Sequence, residues 1–142
     1  MRILVDTNVY LDFFLEREGF NEAKEFFLNC RLAKCKTFVT SMSLRDIEYV
    51  AHRKKKNKQE SMRILNAVYS LCTKVLDVTA DDAINAMFSD FDDYEDGMIA
   101  FSAERSMMNL IISNNVDDFR HSTIPIWTPK EFNDVIRREK YR

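Results

Sequence analysis

The chain has 142 residues, 46% hydrophobic and 31% charged, which is enough for one buried core and matches an ordinary globular protein. A formal charge of −2 argues against a generic nucleic-acid coat protein, and only 2 Gly and 2 Pro argue against a turn-rich β-sandwich. Cys30, Cys35 and Cys72 form no CxxC pair, which argues against a disulfide framework or structural zinc and for free thiols.

In chain order, Arg2–Asp6 (RILVD) is an apolar run long enough for a buried strand. Thr7 or Asn8 suits a helix N-cap, and Val9, Leu11, Phe13 and Phe14 lead a helix toward Arg17 that Gly19 ends. Ala23, Phe26, Phe27, Cys30 and Ala33 give helical spacing over Asn21–Ala33. Thr37–Thr40 is a second strand, followed by a Ser41 or Ser43 cap and a helix over Leu44–His52. Met62, Leu65, Val68, Tyr69 and Cys72 mark the inner face of a helix over Gln59–Cys72. Val75–Val78 is a third strand, and a helix runs from Asp81 to about Phe88. The next helix covers Asp96–Met107, with Ile99, Ala100, Ala103 and Met107 on one side. Leu110–Ser113 and Ile124–Trp127 are the last strands, and Pro129 opens a closing helix over Lys130–Arg138. Apolar strands separated by helices predict a single α/β domain, with a parallel sheet covered on both faces.

In an open parallel sheet, ligands bind past the carboxyl ends of the strands, where strand order reverses. Asp6 closes the first strand, Asp46 and Glu48 lie on the helix after the second, and Ser113, Asn114, Asn115, Asp117 and Asp118 follow the fourth. Asp92, Asp93, Glu95 and Asp96 open the helix leading into that fourth strand. Four segments therefore deliver acids or amides to one rim. Carboxylates so grouped repel one another unless a cation intervenes, and the hard ions Mg²⁺ and Mn²⁺ take oxygen ligands. Such an ion can polarise a phosphodiester, lower the pKa of a bound water and stabilise the leaving oxygen. No GxxxxGK[ST] or GxGxxG loop is present, and His52 and His121 are isolated. The basic run His52–Lys58 (HRKKKNK) supplies cations for phosphates, with Arg45, Arg53, Lys54, Lys55 and Lys56 the candidate contacts to a phosphate backbone.

These motifs resemble the PIN-domain family. ILVDTNVYLD resembles its first signature, an Asp ending a strand before Thr/Ser and Asn. SLRDIEYV resembles the second, an acid three residues before an aromatic, which puts Asp46 at that acid. DYEDGMIAFSA resembles the third, and LIISNNVDDF with IPIWTPKEF the fourth block and the closing strand and helix. The matches run in order from residue 3 to residue 132.

The resemblance implies a three-layer α/β/α sandwich around a parallel sheet of about five strands, and Mg²⁺- or Mn²⁺-dependent RNA cleavage. It makes Asp6 and Asp96 the primary metal ligands and Asp46 the third acid, with Asp93 beside them, Asn8 orienting an acid or water, and Ser113 at a Thr/Ser position. It further implies a VapBC-type toxin held by an antitoxin, often dimeric. Two positions depart from the pattern. Asn115 stands where many members have Asp, so a second ion would bind more weakly, with Asp118 the substitute ligand; Asp46 is one methylene shorter than the usual Glu.

Plainer roles are expected elsewhere: Asp12, Asp81 and Asp82 structural, Asp92 and Glu95 solvated, Glu48 turned away, and Phe13, Phe14, Phe26 and Phe27 in the core. Two rival readings follow. A PIN fold with a weakened site would bind RNA or protein without cutting, and Asn115 favours it. A phospho-acceptor receiver domain also places acids at sheet ends, but Lys130, past Pro129, is poorly placed for its lysine. MRILVDTN is too short and polar for a leader core and no apolar run reaches membrane-spanning length, so a cytoplasmic protein without a membrane partner is expected.

Overall fold

A computed structural model describes residues 1–141. Five parallel strands form the sheet: β1 (Arg2–Val5), β2 (Lys36–Thr40), β3 (Lys74–Leu76), β4 (Leu110–Ile112) and β5 (Ile126–Trp127), in the order β3-β2-β1-β4-β5. The chain builds outward from β1 through β2 to β3, then returns to β1's other side with β4. Strand order therefore reverses between β1 and β4.

Seven helices connect and cover the sheet: α1 (Thr7–Phe14), α2 (Phe20–Leu32), α3 (Ser41–Lys55), α4 (Lys58–Leu71), α5 (Ala80–Met87), α6 (Tyr94–Arg105) and α7 (Pro129–Lys140). Alternation within the strands creates two cores. Ile3, Val5, Val39, Leu110 and Ile112 face one side, packing with Val9, Phe26, Ile47, Val68 and Phe132 from the helices there. Leu4, Phe38, Leu76 and Ile111 face the other, against Ile99, Ala100 and Ala103 of α6. This is the expected three-layer α/β/α sandwich. No helix among the described residues is long and apolar enough to cross a membrane.

Several local expectations need correction. The cap of α1 is Asp6 rather than Thr7 or Asn8, and α1 stops at Phe14. The turn after it uses Glu16 at φ 49°, while Gly19 serves as the N-cap of α2. Helix α3 begins directly after β2 because Thr40 accepts a hydrogen bond from the Ser43 N–H, displacing the expected serine caps. In α4 Val68 is buried and Leu65 and Cys72 pack half-buried against the same core as expected, but Ser61 and Ile64 are buried beside them and Met62 and Tyr69 are exposed. Met107 is also exposed, at φ 58° beyond the end of α6, and Met108 takes the core position. The last strand is only Ile126–Trp127, and α7 extends to Lys140.

Phe26 and Phe27 are buried as expected, whereas Phe13 and Phe14 are half-buried against the same core. The three cysteines are free, Cys30 buried and Cys35 and Cys72 half-buried.

Candidate active site

The strand-order reversal sets Asp6 beside Ser113. The Asp6 N–H donates to the Ile112 carbonyl at 2.9 Å, continuing the β1–β4 ladder by one rung. Its buried carboxylate accepts from the Thr7 N–H at 2.8 Å, the Ser113 hydroxyl at 2.7 Å and the Asn8 amide at 3.3 Å. Burial pushes the Asp6 carboxyl above its ordinary range, the bonds from Ser113 and Thr7 oppose that shift, and the charges of Asp46 and Asp93 add to it. Capping a helix and serving a site are thus compatible roles for this residue.

A hydrogen-bonded chain fixes the loop after β4 to α1. The Asn8 side-chain oxygen Oδ1 accepts from the Asn114 backbone N–H at 3.3 Å, the Asn114 side-chain amide donates to Asp12 at 2.7 Å, and Arg17 donates to Asp12 at 2.9 Å. The Asn115 N–H donates to the Ser113 hydroxyl at 3.0 Å. Asp12 thus has a structural role, as expected. Asn114 is a positioning residue whose partners lie more than a hundred residues away in sequence, beyond the reach of local pattern.

From the second core's side, α6 delivers Asp96 and Asp93. Asp93 is the N-cap of α6 and accepts from the Asp96 N–H at 3.0 Å, so the helix begins two residues before its expected start. The half-buried Asp96 carboxyl is pushed up to about 8 by burial first, then by Asp6, Asp93, Asp118 and Glu95. Asp118 reaches this group from a short 3-10 turn, Val116–Phe119. From α3, half-buried Asp46 acts on both Asp6 and Glu95 while accepting from Arg45 at 3.0 Å.

Glu95, expected to be solvated, is exposed but faces the acids. Its carboxyl is raised by partial burial and by Asp46 and Asp93, with Arg45 opposing. Asp92 does stand in solvent, paired with Arg120 at 2.7 Å. Glu48 turns away, 3.5 Å from His52. Lys130 pairs with Asp134 at 2.9 Å.

Asp6, Asp46, Asp93, Asp96 and Asp118 therefore act on one another across chain segments. As placed, no three His, Cys, Asp or Glu side chains among the described residues stand close enough to grip one ion together. The donor set nevertheless fits a hard divalent cation in kind: all its donors are oxygens, and the raised Asp6 and Asp96 carboxyls need compensating positive charge. Such ions keep part of their water shell, so water can bridge donors that do not converge directly.

A separate cleft of about 820 Å³, lined by Asp12, Arg17, Asn114 and Lys130 among others, includes none of Asp6, Asp46 and Asp96. That cleft is distinct from the carboxylates that act on one another. The expected RNA contacts divide. Arg45 lies at the acids, while Arg53 and Lys54–Lys56 lie two to three turns further along α3.

An acid-lined switch point in a doubly wound α/β sandwich defines a class of protein, and comparison with known sequences identifies the family. The PIN domain matches residues 2–117, and the chain belongs to the PIN-domain family. No curated protein matches the sequence. Among solved structures, the chain is similar to VapBC2 of Rickettsia felis, bound to a DNA fragment from its promoter. The TM-score is 0.63 at 17% identity, covering 90% of this chain and 98% of that one. It is similar to a toxin–antitoxin complex of Klebsiella pneumoniae, with a TM-score of 0.63 at 22% identity over 89% and 97% of the two chains. VapC20 of Mycobacterium tuberculosis, a toxin that cleaves the sarcin–ricin loop, gives a TM-score of 0.59 at 16% identity over 77% and 86%.

Proposed function

We propose that this PIN domain is a metal-dependent endoribonuclease, the toxin of a VapBC-type pair. The observation that carries the proposal is Asp96: a carboxyl raised to about 8 by burial and by four acids, two from elsewhere in the chain and two from its own helix start. A carboxylate so placed is destabilised until a cation enters, so the arrangement suits a protein that meets one.

Asp6, Asp46 and Asp96 would hold Mg²⁺ or Mn²⁺, with Asp93 and Asp118 beside them. When bound, the ion supplies Lewis-acid polarisation of the phosphodiester and compensates charge on the leaving oxygen. The chain's own residues prepare that site. Ser113 and Asn8 donate to Asp6 and hold its carboxylate in one orientation. Asp96 keeps its proton near neutral pH and releases it when positive charge arrives. Arg45 offers a guanidinium at the edge for a phosphate. Water would attack phosphorus in line, breaking the bond to the 3′ oxygen of the preceding nucleotide; family analogy gives 5′-phosphate and 3′-hydroxyl products.

Similarity to toxins solved with antitoxins supports a protein partner for this chain. Exposed Leu28 and Leu32 on α2 are candidates for that contact, and a homodimer is compatible with the family resemblance. The test is cleavage of single-stranded RNA in Mn²⁺. Asp6→Asn should abolish divalent-dependent cleavage while leaving the circular dichroism spectrum intact, and full activity in that variant would remove the proposal. Asn115 and the spread of the carboxylates favour a second reading, a PIN fold that binds RNA or protein without cutting. RNA binding by the unaltered chain with no cleavage at millimolar Mn²⁺ would select it.

A further inference from the structure

Helix α3 carries an unusual exposed stripe leading away from the acids. Tyr49 is 51% exposed and lies between two guanidinium groups, Arg45 and Arg53, each 5.7 Å from its ring centroid. The three residues stand at i, i+4 and i+8, on one helix face. Lys56, the left-handed C-cap of α3, continues that face at i+11. Arg45 also pairs with Asp46 at 3.0 Å, so one end of the stripe touches the acid cluster. Its length from Arg45 to Lys56 is about 16 Å at a rise of about 1.5 Å per residue.

A tyrosine held in the open needs a physical account. About half of its surface stays in solvent, with the two guanidinium groups as its flanking neighbours along the helix. Interleaved aromatic and cationic residues are what a single-stranded nucleic acid requires: the cations follow its phosphates while an unpaired base lies on the ring. A duplex offers the same phosphates but no free base face. The local charge also selects a polyanion, because Arg53, Lys54, Lys55 and Lys56 run in succession with no acid among them.

We propose that Tyr49 is a base-stacking residue, and that Arg45, Tyr49, Arg53 and Lys56 form a track for about four or five unpaired nucleotides leading away from the scissile phosphate. The spacing estimate takes a stacked strand at about 3.4 Å per nucleotide. The inference deepens the ribonuclease reading and rests on it for the direction of the strand. Tyr49 makes the protein prefer unpaired RNA, and the cations supply affinity without sequence preference.

The test uses the full-length chain carrying Asp6→Asn, which leaves the RNA uncut, and reads binding of a fluorescent 12-nucleotide single-stranded RNA and its duplex by anisotropy. Adding Tyr49→Ala should weaken single-strand binding about 5- to 100-fold and leave duplex binding unchanged. Tyr49→Phe should stay within about twofold of its parent. Arg53→Ala should weaken both RNAs and lower the salt dependence by about one phosphate contact. Equal single-strand binding with and without the Tyr49 ring would overturn the proposal, as would equal losses for single strand and duplex, or no RNA binding at all. A protein partner that protects Tyr49 while RNA binding ignores it would also overturn it.

Metal-dependent cleavage by the unaltered chain is scored separately. Cleavage with Tyr49-independent binding sinks the track alone, whereas Tyr49-dependent binding without cleavage sinks the nuclease reading alone.

Discussion

Asp96 is where the chemistry of a single residue governs the rest. Its folded-state carboxyl lies near 8, above the ordinary value of 3.8, so the folded metal-free protein binds a proton that the unfolded chain releases. Stability from this group is therefore full below about pH 4 and declines as pH rises through about 8. The metal-free protein should gain thermal stability on Asp96→Asn, measured by melting at pH 8.5, and the gain should shrink at pH 5 and vanish below the ordinary value of 3.8. An Asp96→Asn protein less stable than its parent at pH 8.5 would show that the carboxylate is compensated by the protein itself. The positions of Asp6 after a strand and Asp96 at a helix start were legible from the sequence, because strand ends and helix starts are local features. Glu95 and Tyr49 were not. Their roles depend on what faces them across space, and in one dimension each is an ordinary surface residue.

At the scale of elements, α5 and α6 are joined by a clamp at the end of α6 opposite the Asp93–Asp96 turn. Arg105, in the last turn of α6, pairs with buried Asp82 at 3.0 Å and donates to the Asp77 carbonyl at 2.7 Å. Gly97 lets the two helices approach, since a Cβ there would meet the Ala86 Cβ at 3.2 Å. The Arg105 bonds and the Thr79 cap outweigh the burial of Asp82 and hold its carboxyl below the ordinary value of 3.8. The resulting stabilisation is present above about pH 4 and is lost as pH falls through the depressed value.

Arg105→Ala should cost about 1–2 kcal/mol in urea unfolding at pH 7, less than a fully buried pair because the arginine is partly exposed. The cost should shrink at pH 3, and an equal cost at both pH values would place the effect in packing instead. Element order and type were readable because apolar periodicity survives in each segment. The limits of each face were less so: in α4 Val68, Leu65 and Cys72 turn inward as expected, but Ser61 is buried as well, because its hydroxyl donates to the Lys58 carbonyl. Boundaries moved for a similar reason. Thr40 and Asp93 cap their helices from positions that also read as strand end and site residue.

Across the whole molecule, the placement of the acids follows from one topological fact. The chain crosses back over β1 between β3 and β4, so Asp6 and Ser113 meet at the reversal, with α3 and α6 bringing acids from the two opposite layers. Neither layer alone assembles the cluster. The alternation of strands and helices made the fold class legible, and the order of motifs made the family legible. How far apart the carboxylates stand was beyond sequence, because it depends on how the two helix layers seat on the sheet.

Calorimetric titration of the full chain with Mn²⁺ at pH 8 tests the shared-ion claim most directly. The account predicts saturable binding below millimolar concentration, with proton release in the parent and loss of that binding in Asp96→Asn. Absence of binding in the parent, or equal binding in the two chains, would contradict it.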